Sequence, residues 1–461
     1  MDSSNVLTEL EAHLSNTEAK LYHPDNPEYT SLQQCFIDKP IQILATVRPQ
    51  TAQDVSSVLQ FCLKNNVDFC VRTGGHDCAS RTLVQGALVI DMRDIKHVTI
   101  SDDRHSAKIG GEMLSGELCE ILGKEGLTTP VGTIGSVGYI GWATLGGYGP
   151  LTSHYGMGVD QILGAKVVDG SGEIQDADEE MLVGIRGGGG SLGIIVELTI
   201  KVYPISTILS STIIFESSDL PTTLTSYTNY YENLLKTNQP PIHLQPQPFI
   251  LEIPNLGTVL MIGATWHGDK EEGHSWIKNI ASAASCIMES TEETTMVALL
   301  EKNDKAFAGP YLGRVFTVSF KTLTPKIISI LSKYSANAPG GGAMFAYHTL
   351  LSPQEPVKSV FGTRARHHML EIYAITKETD VAEEREKWGR EVKAELERED
   401  GDNVLEGSYV SLGEHGEDLK RVYGKHYDTL LGLKERYDPG NVFKHSIPKL
   451  AVVGEKVIET E

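Results

Sequence analysis

The sequence predicts an α+β protein in two parts, the second an antiparallel sheet covered by helices on one face. Three observations carry that prediction. Short β-branched runs alternate with helix-period segments up to Pro204, without repeating as identical βαβ units. Glycine then crowds residues 132–158 and 186–193, a density that packing alone rarely requires. Beyond Pro204, strands separated by helices continue with no glycine fingerprint. At 461 residues the chain exceeds one typical core. The expected boundaries are 1–205 and 206–424, with 425–461 as a separate C-terminal segment.

The elements follow in order. Residues 6–14 read as an amphipathic helix and 41–47 as a strand. The capping box Thr51-x-x-Asp54 opens a helix whose apolar face is Val55, Val58, Leu59 and Cys62. Residues 67–71 and 87–92 are predicted strands, 98–109 a hairpin, 115–127 a helix and 164–168 the first arm of another hairpin. Gly188, Gly190 and Gly193 make a formal G-x-G-x-x-G, but a dinucleotide fingerprint must open a helix. Here residues 194–202 alternate as a strand, so the Rossmann reading fails. In the second part, strands are expected at 212–215, 259–264, 316–320, 343–349 and 368–375, and helices at 224–235, 326–334 and 381–398. A last helix, 419–436, ends at Tyr437-Asp438-Pro439-Gly440-Asn441-Val442-Phe443.

Composition narrows the function. The 61 acidic against 40 basic residues give a net charge of −21, which disfavours nucleic acid and anionic membranes as partners. No apolar run reaches the ~18 residues of a membrane span. The start Met-Asp-Ser-Ser-Asn-Val has neither basic nor apolar signal character, so an intracellular, cytoplasmic protein is expected. Six cysteines form no CxxC pair, read as reduced thiols, and suggest no metal site.

The stretch around which the chain is organised is Val71-Arg72-Thr73-Gly74-Gly75-His76-Asp77-Cys78. Adjacent glycines permit a tight turn whose free N–H groups can cradle an anion. Combined with the 132–149 glycine run, Gly189-Gly190-Ser-Leu-Gly193-Ile-Ile-Val and the terminal 437–443 motif, it resembles the berberine-bridge-enzyme-like FAD-linked oxidases. These belong to the vanillyl-alcohol-oxidase superfamily with its PCMH-type FAD-binding domain, and include fungal-type oxygen-dependent oxidoreductases. The resemblance spans the whole chain. It implies a bipartite FAD domain, to which 425–461 returns, and a substrate domain at 206–424.

The resemblance also assigns roles. His76 would carry the flavin covalently, with Arg72, Thr73, Gly74, Gly75, Asp77 and Cys78 around it. Gly132, Thr133, Ser136, Val137, Gly138, Gly141, Gly146 and Tyr148 would line the flavin and ribityl chain. Gly193 and Ile195 would lie near the adenine or dimethylbenzene side through backbone atoms, Asn441 would hydrogen-bond the pyrimidine edge, and Phe443 would complete the site. Bicovalent relatives carry a cysteine before the glycine run; residues 131–137 have none, so a single link is expected, with a small to medium substrate.

Strand alternation places Leu370, Ile372 and Ala374 toward helices and His367, Met369, Glu371 and Tyr373 toward the flavin. Residues 408–412, read as a strand, turn Tyr409 and Ser411 the same way. Tyr409 matches the tyrosine of the family's Tyr-x-Asn motif, whose Asn is Ser411 here. Tyr409 and Glu371 are the expected catalytic pair, with Glu371 the base if its surroundings are apolar. The alternative for Glu371 is a structural ion pair with Arg364 or Arg366. His348, His154, Trp142 and Tyr139 are secondary pocket-wall candidates whose ordinary reading is packing. The expected function is an FAD-dependent oxidase acting on an alcohol, amine or phenol of secondary metabolism, with O2 as acceptor. A redox-neutral cyclase or isomerase and a dehydrogenase with another acceptor are the alternatives; oligomeric state is not readable.

Overall fold

The computed structural model describes residues 3–205, 207–237, 240–351, 357–407, 409–414 and 416–450. Its first half holds two principal sheets. Strands Ala45–Arg48, Leu88–Asp91 and Phe69–Arg72 run parallel, with Lys20–Tyr22 antiparallel at one edge. Thr51 and Asp54 make the capping box of helix Ala52–Asn65, whose Val55, Val58, Leu59 and Cys62 are buried against this sheet. A second, antiparallel sheet is ordered Val98–Ile100, Ser106–Gly110, Ile194–Lys201, Ile162–Val168, Ile174–Asp176. Strand Ile194–Lys201 directly follows the glycine run, as its alternation predicts.

The third sheet has seven antiparallel strands, ordered Cys286–Thr294, Ile208–Phe215, Gly257–Trp266, Leu244–Ile253, Met344–Leu350, His367–Thr376, Leu312–Phe320. Helices Leu220–Lys236, Lys270–Ala281, Pro325–Ser335 and Ala382–Glu399 cover one face. Ile213, Leu260, Ile262, Phe316, Leu370 and Ile372 point into that apolar layer. Each such side chain contributes ~1.5–3 kcal/mol on burial. The alternate residues, including Gln247, His348, Glu371 and Tyr373, face the first half of the chain. Helix Tyr427–Tyr437 packs back on helix Glu179–Gly188 of the first half.

Several local expectations are corrected. The 41–47 strand forms only over Ala45–Arg48. Helix Ser115–Lys124 stops short of Leu127, because Gly126 takes a left-handed φ of 66° and Leu127–Thr128 is a strand. The helix expected at 419–436 breaks into Leu419–Tyr423 and Tyr427–Tyr437 at Gly424, φ 51°. Residues 410–412 form a 3-10 turn rather than a strand. Ser408 and residues 451–461 of the C-terminal segment lie outside the described residues. Leu244–Ile253 went unread because it carries Pro246 and Pro248. Its pairing with Met344–Leu350 spans only Phe249 to Leu251, so both prolines fall where the strand has a neighbour on one side alone. Cys286–Thr294 went unread because it is an exposed, glutamate-rich edge with no apolar alternation.

Candidate active site

The glycine turn after strand Phe69–Arg72 meets the glycine run backbone to backbone. A Cβ on Gly74 would lie 2.3 Å from the Gly138 nitrogen, and one on Gly138 would lie 2.6 Å from the Gly74 nitrogen. Gly75, φ 75°, then turns the chain so that His76 projects from the cradle. Arg72 lies beneath, its guanidinium donating to the carbonyls of Leu32 and Gln34. Buried Glu112 abuts the same contact, and burial raises its carboxyl to about 8.

A cavity of about 1110 Å³ opens over this cradle. Thr73, Gly74, Gly75, His76 and Asp77 form one wall, and Val137, Gly138, Gly141, Gly193, Ile195 and Phe443 continue it. Glycine backbone at the cradle suits a pyrophosphate, while Val71, Ile140, Trp142, Leu145 and Ile194 give apolar walls for flat rings. This donor set fits FAD.

A second cavity, about 970 Å³, adjoins the first and shares His76, Val137, Trp142 and Ser411 with it. Cys78, Gly132, Thr133, Tyr148, Glu371 and Tyr409 all line it. Tyr373 donates to Glu371 Oε2 at 2.6 Å, and His348 Nε2 stands 3.7 Å from Oε1. The Gln247 amide donates to His348 Nε2 at 3.0 Å. Burial raises the Glu371 carboxyl to about 7 and lowers His348 to about 4. Burial also raises the Tyr409 phenol, against hydrogen bonding by Ser411 and by the Gly147 and Tyr148 amides. Tyr148 Oη lies 2.7 Å from His367 Nε2, whose Nδ1 is 2.7 Å from the Ala365 carbonyl. A carbonyl only accepts, so Nδ1 carries the proton and Tyr148 donates to Nε2. The alternative ion pairs for Glu371 do not form: Arg364 pairs with Asp160, and Arg366 donates to the Leu235 carbonyl.

His76 itself is held by residues from three segments. Its ring stacks on Phe36 at 4.8 Å, and its Nε2 is 3.0 Å from Ser136 Oγ. Ser136 Oγ donates to Asp304 Oδ1 at 2.9 Å, and the Ser136 amide donates to the same oxygen at 3.1 Å. Burial lowers the imidazole to about 4, so it is neutral at physiological pH.

Four predicted residues are not brought to either wall. Arg72 and Ser136 act from behind, as described. Gly146 gives close room to the Phe361 and Tyr409 rings. Asn441 sits in the terminal turn at φ 48°, a conformation asparagine tolerates, with its Oδ1 buried and unpartnered. Asp438 accepts from Lys434 and from the Val442 and Phe443 amides, folding that turn so that Phe443 reaches the cavity. The sequence reading missed Arg81, Asp304, His445, Ser446 and Ile447. Arg81 follows the cradle directly and pairs with Asp77 at 2.6 Å, a proximity that could have flagged it. Asp304 comes from helix Met296–Ala306, 168 residues from Ser136, with no local signal.

Comparison with known proteins agrees with this geometry. Residues 43–178 match the FAD binding domain family. The FAD-linked oxidoreductase aurO of Gibberella zeae is 31% identical over 440 residues, covering 93% of this chain and 85% of that protein. The (R)-6-hydroxynicotine oxidase of Paenarthrobacter nicotinovorans is 23% identical over 452 residues, covering 93% and 96%. Among solved structures, the BBE-like 1 protein of Physcomitrella patens superimposes with a TM-score of 0.83 at 20% identity, over 96% of this chain and 99% of that one. A two-part fold with a glycine-cradled cavity thus defines a flavoprotein oxidoreductase. The chain belongs to the FAD-linked oxidoreductases, and its fold is that of the berberine-bridge-enzyme-like proteins. Among the described residues, no helix is long and apolar enough to cross a membrane.

Proposed function

We propose that the protein is an oxidase whose FAD is bonded once, to His76, and which removes a hydride from an alcohol, amine or phenol-bearing carbon of a small to medium molecule. The observation that carries this reading is the second cavity: it shares His76 with the flavin cavity and presents buried Glu371, Tyr148 and Tyr409 and half-buried Tyr373 along its wall. When bound, FAD supplies the hydride acceptor. Glu371, raised to about 7, is matched to accept the O–H or N–H proton near neutral pH. Tyr373 holds that carboxylate in place. Tyr148, its proton engaged by His367, offers an acceptor to substrate, and Tyr409 is the second phenol at the wall.

The Ser136–Asp304 pair supports attachment through Nδ1. Ser136 has one hydrogen, which goes to the carboxylate, so His76 donates from Nε2 and keeps its lone pair on Nδ1. Cys78, the cysteine nearest His76, is buried with its thiol raised, which does not favour a second thioether link. O2 as acceptor rests on the likeness to an enzyme named an oxidase. The test is an anaerobic screen of alcohols, amines and phenols for flavin bleaching, followed by air and peroxide measurement. Bleaching with stoichiometric peroxide on reoxidation is expected; turnover with neither would overturn the oxidase reading.

A further inference from the structure

We propose that His154, His243 and His267 form a binding site for a divalent transition-metal ion, zinc first, at the seam between the two halves of the chain. No spacing motif betrays the site, because its members come from three separate segments. His243 immediately precedes strand Leu244–Ile253, and His267 immediately follows strand Gly257–Trp266. Leu244 pairs with Trp266, so the two histidines are the next opposed pair, and the His267 amide donates to the His243 carbonyl at 3.3 Å. His154 arrives on helix Thr152–Tyr155 from the first half. That helix is held against the strand by Ser153, whose amide and hydroxyl both donate to Gln245 Oε1, at 3.0 and 2.5 Å.

The three rings offer ligand atoms that all lie within 4.8 Å of one another. His243 Nδ1 and His267 Nε2 are 3.5 Å apart. Tetrahedral zinc with Zn–N bonds of ~2.0–2.1 Å spaces its nitrogens by about 3.3 Å, close to the His243–His267 separation, and binding would draw His154 in to the same spacing. His154 Nδ1 is buried with no hydrogen-bond partner. His243 and His154 are half-buried while His267 is buried, which leaves an approach from solvent and a fourth position for water. Three imidazoles without a carboxylate suit zinc, copper or nickel and not magnesium or calcium.

None of the three histidines lines either cavity. The ion would act as a clasp on the segment that carries Tyr148. Thr152, at the start of the same short helix, accepts from the Gly149 amide at 2.8 Å through its hydroxyl.

The test uses the untagged, FAD-loaded full chain, stripped with EDTA and dialysed against Zn²⁺ or Co²⁺. One equivalent should bind with Kd at or below about 10 μM. Co²⁺ should give the visible bands of a four-coordinate site. His243→Ala and His267→Ala should each weaken binding at least ~100-fold, while His274→Ala, on an exposed helix face, should not. His154→Gln, at a half-buried position, stands in for either alanine variant that does not fold, judged by flavin absorbance. No binding below about 1 mM, or binding that survives every one of the site variants, would overturn the proposal.

Discussion

Replacing Asp304 by asparagine isolates the control of His76 from everything else in the site. In the native arrangement Asp304 accepts the Ser136 hydroxyl hydrogen at 2.9 Å, so Ser136 can only accept from His76 Nε2, at 3.0 Å. Asparagine can turn its NH2 toward Ser136, free the hydroxyl hydrogen for Nε2, and so move the ring proton to Nδ1. What is lost is a hydrogen bond to a charged group, worth ~1.5–3 kcal/mol. At ~1.4 kcal/mol per decade this lowers the reactive tautomer by about 10- to 150-fold. Because burial holds the imidazole at about 4, cation formation does not compete between about pH 6 and 9, and the deficit should be flat across that range. The assay is substrate-independent: apo-protein is mixed with FAD, aliquots are acid-precipitated, and flavin fluorescence in the pellet is followed in time. Asp304→Asn should bind FAD but attach it slowly, and His76→Ala should leave none in the pellet. Attachment at the native rate in Asp304→Asn would refute the tautomer argument, and acid-stable flavin in His76→Ala would refute the assignment of His76.

Glu371→Gln tests the buried carboxyl by stability. The folded value of about 7 exceeds the unfolded reference of 4.5, so the native stability from this group is full below about pH 4.5 and is lost as pH rises through 7. About two and a half units correspond to about 3 kcal/mol, which Glu371→Gln should recover in urea melts at pH 8 and not at pH 4.5; a pH-independent difference would refute it. Gly138→Ala puts a methyl 2.6 Å from the Gly74 nitrogen and should lower FAD affinity at least ~10-fold with the far-UV spectrum unchanged, read by ultrafiltration of free flavin. Lys434→Met strands Asp438 in a fully buried pair and should cost ~3–5 kcal/mol, seen as a lowered melting temperature.

The parts legible in the sequence were those with a local signal. The Thr51–Asp54 capping box, the strand after Gly193 and the alternation of 366–375 each announce themselves within ten residues, and each forms, the last as strand His367–Thr376. Glu371 and Tyr373 reach the cavity for the same reason, since a strand assigns faces by parity. Tyr409 reaches it by another route, on the residue before a 3-10 turn, so its placement does not follow from strand parity. What stayed hidden depends on distant partners. Prolines at 246 and 248 argue against an interior strand until the short register with Met344–Leu350 is known. Asn441 carries a family motif whose visible physical content here is a left-handed turn held by Asp438, and that content needs three-dimensional pairing to be seen.

The connection between the two cavities gives the clearest account of why this fold needs both halves. Asp77 follows His76 and is gripped by Arg81, whose Nε, Nη2 and backbone amide all donate to its carboxylate. The same guanidinium donates to the Val410 and Ser411 carbonyls at 3.1 and 3.0 Å. One side chain therefore fixes both the glycine cradle and the turn that follows Tyr409, across 329 residues of sequence. The seven-stranded sheet supplies Glu371 and Tyr373, and helix Met296–Ala306 supplies Asp304, which reaches His76 through Ser136. Neither half lines the second cavity alone: His76 comes from the first and Glu371 from the second. Reactive groups held to within a fraction of an ångström need rigid support. Here that support is a set of charge-assisted hydrogen bonds crossing the seam, so the cavity that His76 and Glu371 share is complete only when the two halves are docked.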